Sequence, residues 1–88
     1  MTVKMRLVLR EFMGERILVP SGEAVSAVNG LFMLSETAAY IWKILPEAKD
    51  EAEVLRHVLS EFEVAEERAR EDVHAFLARL REYGLIDG

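Results

Sequence analysis

Histidine is the side chain that most readily carries acid–base or metal chemistry near neutral pH, and the chain holds two, His57 and His74. Neither has a cysteine or a second histidine at ligand spacing, so a surface or half-buried helix position fits each better than a metal site. Ser21, Ser26, Ser35 and Ser60 lack the glycine elbow that exposes a nucleophilic hydroxyl, and a turn or a helix cap accounts for each. No run of glycines forms a phosphate-cradling loop. The acidic pairs Glu66-Glu67 and Glu71-Asp72 fit solvated helix faces, while Glu66 with Arg70 and Arg68 with Asp72 are i,i+4 ion pairs worth roughly a few tenths of a kcal/mol. No acid, base and nucleophile assemble. The expectation is a protein that is not an enzyme and uses no metal and no cofactor.

Binding is what remains, and the run NGLFMLSETAAYIW (residues 29–42) indicates where. Leu31, Phe32, Met33 and Leu34 are four consecutive bulky apolar side chains, so both faces of a strand there need cover. One reading makes both faces core. The other gives the strand one face on the helices and an open backbone edge, which recruits an extended peptide as an added strand through main-chain hydrogen bonds. The wall of such a groove needs a long helix with apolar and charged positions side by side. The third helix fits, with Phe76 and Leu80 beside Arg68, Asp72, Ala75 and Arg79.

The elements that must position these residues divide the chain into a strand-like third and a helical remainder. Residues 6–13, RLVLREFM, read as a strand of imperfect alternation. Gly14-Glu15 suits the start of a type II′ hairpin turn, and residues 16–19 return as a second strand stopped by Pro20-Ser21-Gly22. With Met13 opposite Arg16, Phe12 faces Ile17, Glu11 faces Leu18 and Arg10 faces Val19. Residues 24–28 extend the ladder before Asn29-Gly30 turns into residues 31–34.

Three amphipathic helices follow. Ser35 caps the first, with Glu36 complementing the dipole and a buried stripe of Ala38, Ile41, Trp42 and Leu45; Pro46 ends it. Asp50 caps the second, Glu53 completes a capping box, and its stripe is Val54, Leu55, Val58, Leu59 and Phe62. The third, residues 66–83, buries Ala69, Val73, Phe76, Leu77 and Leu80. Ala65 is a poor N-cap. Gly84 stands where a left-handed C′ residue is wanted, with Leu85 folding back on Leu80 in a Schellman closure. Strand pairs followed by helices make an α+β domain, a single one over residues 1–88, with no internal repeat and no linker.

Composition narrows the class. A chain of 88 residues buries only about 60–65% of its unfolded surface, so cover from a partner, or from a second copy in a homodimer, adds to a modest stability. No apolar stretch reaches the roughly 20 residues that span a bilayer, and the N-terminus lacks the apolar core of a signal peptide. The absence of cysteine excludes disulfides and leaves the cytosol open. A cytoplasmic protein without membrane contact is expected. The net charge of −5 falls mostly on the helical part, where a nucleic-acid binder needs a basic stripe.

The runs LVLREFMGERILVP, NGLFMLSETAAYIW and VLSEFEVAEERAREDVHAFLARLREYGLI together resemble the PqqD family over nearly the whole chain. Leu34-Ser35-Glu36-Thr37-Ala38 is similar to the family's Leu-Asn-x-Thr-Ala/Gly at the strand-to-helix junction, with Ser35 replacing the usual Asn as a cap. Asp72-Val73-x-x-Phe76-Leu77 with Gly84-Leu85-Ile86 is the second motif. Ala65 stands where the family tends to have Asp or Ser. The resemblance implies a winged-helix-like fold, a three-stranded antiparallel sheet followed by three helices. It also implies a non-catalytic recognition element in the making of ribosomally synthesised, modified peptides. Such domains hold the leader of a precursor peptide as an additional strand and present it to a modifying enzyme. In pyrroloquinoline quinone (PQQ) synthesis that enzyme is a radical S-adenosylmethionine (radical SAM) enzyme. Carried over by position, the peptide-binding groove is Leu31, Phe32, Met33 and Leu34 with Arg68, Asp72, Ala75, Phe76 and Arg79. The alternative is a winged-helix DNA-binding regulator, whose third helix would enter the major groove with a basic face. Four basic and five acidic residues between Ala65 and Tyr83 weigh against it, so no nucleic-acid partner is expected.

Overall fold

The computed structural model describes residues 1–5, 7–21 and 32–87, Phe32 by its backbone alone. Strands β1 (Thr2–Val3), β2 (Leu7–Phe12), β3 (Glu15–Pro20) and β4 (Phe32–Leu34) come first. Helices α1 (Glu36–Ile44), α2 (Glu51–Glu61) and α3 (Glu66–Glu82) follow, with a 3-10 turn at Leu45–Glu47 and a closing strand β5 (Ile86–Asp87). The main sheet is three-stranded and antiparallel in the order β2-β3-β4; β1 pairs with β5 in a separate two-stranded ladder. This is the α+β architecture expected. The expected strand at residues 24–28 lies outside the described residues, as does Leu31.

The hairpin turns one residue earlier than expected. Phe12 pairs with Glu15, so the two-residue loop is Met13-Gly14 rather than Gly14-Glu15. Both loop residues have positive φ, 51° at Met13 and 81° at Gly14, the type I′ pattern whose twist matches that of the strands. The register differs accordingly from the expected one. Leu18, fully buried, sits opposite Leu9, not Glu11, and Glu11 sits opposite Arg16 toward the hairpin tip. The expected pairing would have put a carboxylate beside the most enclosed position of the sheet. The observed one gives an apolar pair there and an opposite-charge pair near solvent, each favourable across strands. Because the two registers differ by an even step, the same residues face the core in both.

Ser35 caps α1, its Oγ accepting the Ala38 amide at 3.1 Å, and Asp50 caps α2 by accepting the Glu53 amide at 2.9 Å. The Glu53 carboxylate reaches back to the Lys49 amide at 3.1 Å, one residue before the position a capping box uses. The α1 helix ends at Ile44, and Pro46 lies inside the 3-10 turn that follows. On α1 the buried positions are Ala39 and Ile41, while Ala38 is only half-buried. On α2, Val54 and Val58 are buried and Leu55, Leu59 and Phe62 pack partly against the core. The α3 stripe is buried as expected at Ala69, Val73, Phe76, Leu77 and Leu80, and Ala65 provides no side-chain cap. Gly84 has φ 71°. The Leu85 amide donates to the Leu80 carbonyl at 2.9 Å and the Gly84 amide to the Arg81 carbonyl at 2.9 Å, the paired bonds of a Schellman motif. That turn aims the chain back at β1, where Val3 pairs with Ile86 and the Lys4 amide donates to the Leu85 carbonyl at 2.8 Å.

Candidate functional site: the β4 edge and the α3 wall

The site is built on the register of β4. The two-residue loop makes Phe12 and Glu15 a hydrogen-bonded pair, and such pairs alternate along an antiparallel ladder. The N–H and C=O of Ile17 therefore point to β2, while those of Arg16 and Leu18 point to β4. Since Arg16 pairs with Leu34, Leu18 with Phe32 and Ile17 with Met33, Leu34 and Phe32 turn their main-chain groups inward to β3. Met33 turns its amide and carbonyl outward. Among the described residues no strand lies on that side of β4. Met33 is 62% exposed, whereas Leu34, one residue on, is buried. An outward-facing donor and acceptor thus stand beside an apolar anchor.

Beside this edge runs an open cleft of about 590 Å³. Its sheet side is Met33 and Leu34, one end is the first turn of α1 with Ser35 and Thr37, and Ala38, Ile41 and Phe76 supply further apolar lining. The opposite wall is α3, through Arg68, Asp72, Ala75 and Arg79. At about 100° per residue these four positions fall within an arc of about 60°, one straight stripe along the helix. It lies to one side of the buried stripe, with Phe76 at the boundary and only 8% exposed. The wall carries two guanidinium groups and one carboxylate. Arg68 Nε lies 3.4 Å from Asp72 Oδ2, with 72% of the arginine side chain exposed, so the pair is weak and easily rearranged.

The structure thus brings together Met33, Leu34, Arg68, Asp72, Ala75, Phe76 and Arg79, all named from the sequence. Phe32 contributes its backbone to β4, and Leu31 lies outside the described residues. Sequence reasoning did not assign Ser35, Thr37, Ala38 and Ile41 to the site. For Ser35, Thr37 and Ala38 the signal was the LSETA run at the strand-to-helix junction, where the chain leaves β4 and starts α1; Ile41 was visible only as a position of the buried stripe.

The cleft offers little for bond-breaking chemistry. Ser35 Oγ is engaged as a cap acceptor, and no histidine lines the cleft. His74 instead joins helices away from it, with Nδ1 3.0 Å from Glu51 Oε2. Among the described residues no three of His, Asp and Glu cluster as metal ligands. The Tyr40 hydroxyl is held above its ordinary pKa by burial first and by the Glu61 and Glu47 carboxylates second. Its ring meets Phe62 edge-on at 5.4 Å and does not line the cleft. No described helix is long and apolar enough to cross a membrane.

Comparison with known proteins gives two findings. The family model described as Coenzyme PQQ synthesis protein D (PqqD) matches residues 15–86, a span that includes β3, β4 and all three helices. Among solved structures, "TbiB1 in Complex with the TbiA(beta) Leader Peptide" superposes with a TM-score of 0.70 at 23% identity, covering 100% of this chain and 96% of that one. "Lasso peptide synthetase B1 complexed with the leader peptide" gives 0.67 at 23% identity, covering 96% and 93%. The likeness is of fold. No curated protein matches the chain.

Proposed function

Because the chain belongs to the PqqD family, we propose that it is a non-catalytic peptide-recognition domain. It takes the leader of a ribosomally made precursor as a fourth strand on β4 and presents the rest of that peptide to a modifying enzyme. The observation that carries this reading is the outward-facing Met33 amide and carbonyl at the lip of a cleft lined by apolar side chains and, along α3, by charged ones. Main-chain pairing at such an edge supplies affinity, and pockets for alternate side chains supply selectivity. The two superposing proteins were solved as complexes with leader peptides, and this supports a leader peptide as the ligand of this chain. The family description names PQQ synthesis; the proposed role extends to that pathway, with a radical SAM enzyme as the partner that receives the peptide. In that pathway the cofactor chemistry belongs to the partner enzyme. A cytoplasmic site of action follows from a precursor made on ribosomes.

The test is a titration of the labelled protein with a candidate leader peptide. Amide resonances of Met33, Leu34 and the cleft side of α3 move together, and the peptide leaves unmodified when the partner enzyme is omitted. Shifts confined to α1 and α2, or modification by this protein alone, overturn the reading.

A further inference from the structure

The cleft wall specifies more about its occupant than an extended backbone. Arg68 and Arg79 both line the cleft and are separated by eleven positions. At about 100° per residue they project within about 20° of each other, and at about 1.5 Å per residue they stand about 16 Å apart. Asp72 and Ala75 lie between them on the same stripe, and Phe76 forms the adjoining apolar surface. The wall is therefore cationic at both ends, with the Asp72 carboxylate and the small Ala75 between them and the apolar Phe76 alongside. This is a local excess of positive charge in a chain of net charge −5.

Resting on the strand-addition reading above, we infer that the peptide recognised here carries two carboxylate side chains flanking an apolar centre. An extended strand rises about 3.3 Å per residue, so for a peptide lying along the α3 wall about 16 Å corresponds to about five residues. Side chains on one face of a strand recur every second residue. The two carboxylates therefore sit four or six positions apart, both turned toward α3, with apolar side chains at the same-face positions between them. The pattern is symmetric, so it holds whichever way the peptide runs along β4. Asp72 has a distinct part. It already engages Arg68 at 3.4 Å, so an incoming carboxylate displaces it and is also repelled by it. Asp72 acts as a selectivity filter that weakens binding of acidic peptides and favours those able to engage both arginines at once.

Synthetic peptides test this directly. All share one apolar centre; they carry glutamate, glutamine or lysine at flanking positions four or six apart, or two apart as a spacing control. Affinity is measured at low and high salt, with the Met33 amide resonance reporting docking at the edge. The expected order is glutamate above glutamine above lysine. Each glutamate-to-glutamine change weakens binding about two- to fivefold at low salt, the range of an exposed ion pair, and less at high salt. Glutamates two apart reach only one arginine and bind like a singly substituted peptide. Arg68→Glu and Arg79→Glu each reverse the preference at one end only, and lysine at that end of the peptide restores affinity. Asp72→Asn tightens binding of the doubly acidic peptide. Equal affinities throughout, with the Met33 amide still moving, overturn the charge pattern and leave strand addition standing. If the peptides bind without moving the Met33 amide, or none binds, strand addition at this edge fails and the inference fails with it.

Discussion

Two residues on α3 separate what holds the domain together from what the cleft presents. Leu77 is fully buried, and Leu77→Ala is expected to cost about 2–5 kcal/mol, as large-to-small core changes do. Arg79 lies two positions on, about 200° around the helix, at the cleft wall. Arg79→Glu is expected to leave the thermal midpoint within a few degrees while lowering affinity for an acidic leader. The loss is up to about 1 kcal/mol for a rim pair, and it shrinks with salt. Melts paired with binding isotherms at two salt concentrations check both, and a cooperatively unfolded Arg79→Glu would mean that the charge is structural. At this scale the sequence was most legible where large side chains repeat. Val73, Phe76, Leu77 and Leu80 announce their face through spacing alone. Ala38 and Ala39 do not, because two adjacent small residues fit either side of a helix. The structure buries Ala39 and turns the half-buried Ala38 to the cleft. The same ambiguity hid Thr37 and Ser35, whose visible role was to open a helix.

Elements place these residues, and β4 does so by parity. The register with β3 turns the main-chain groups of Met33 away from the sheet, so Met33→Pro removes an outward donor and breaks no ladder bond among the described residues. The expected outcome is a folded protein with a near-native melt and strongly reduced peptide affinity. A folded variant that binds as before would remove strand addition at this position. At the other end of the cleft wall, Ala65 leaves the first turn of α3 without a side-chain acceptor. Ala65→Ser supplies one, and about 0.5–2 kcal/mol of added stability is expected in a denaturant titration. Helix starts and stops were legible because caps, glycine and proline have local causes. The hairpin turn was not, because Gly14 serves as well in the first position of a type II′ turn as in the second of a type I′ turn. Met13, a residue disfavoured at positive φ, gave no hint of the latter. What decides is non-local: Leu9 must meet the buried Leu18. Strands β1 and β5 escaped for a related reason, since two residues carry no period and their pairing joins opposite ends of the described chain.

The whole molecule ties the cleft to stability. Its core draws on the sheet through Leu18 and Leu34, on α1 and α2 through Ile41 and Val58, and on α3 through Leu77 and Leu80. Leu34, Ile41 and Phe76 belong to both the core and the cleft. A peptide seated there covers residues that already hold the fold together, so binding and unfolding are linked. For a ligand that binds only the folded state, a hundredfold excess over its Kd adds about 2.7 kcal/mol. In a domain of 88 residues each kcal/mol moves the thermal midpoint by about 4–8 °C. A leader peptide held at a hundredfold excess over its Kd at the melting temperature is therefore expected to raise the midpoint by on the order of 10–20 °C. The rise grows with the logarithm of peptide concentration, without saturating as site occupancy does. Met33→Pro, folded but deprived of the edge donor, is expected to lose most of that rise, and a scrambled peptide of the same composition to give little. Duplex DNA at low salt is expected to give none, because α3 carries five acidic side chains against four basic ones. A midpoint raised by DNA and unmoved by the leader would reverse the assignment of this helix, making it a nucleic-acid reader in place of a cleft wall.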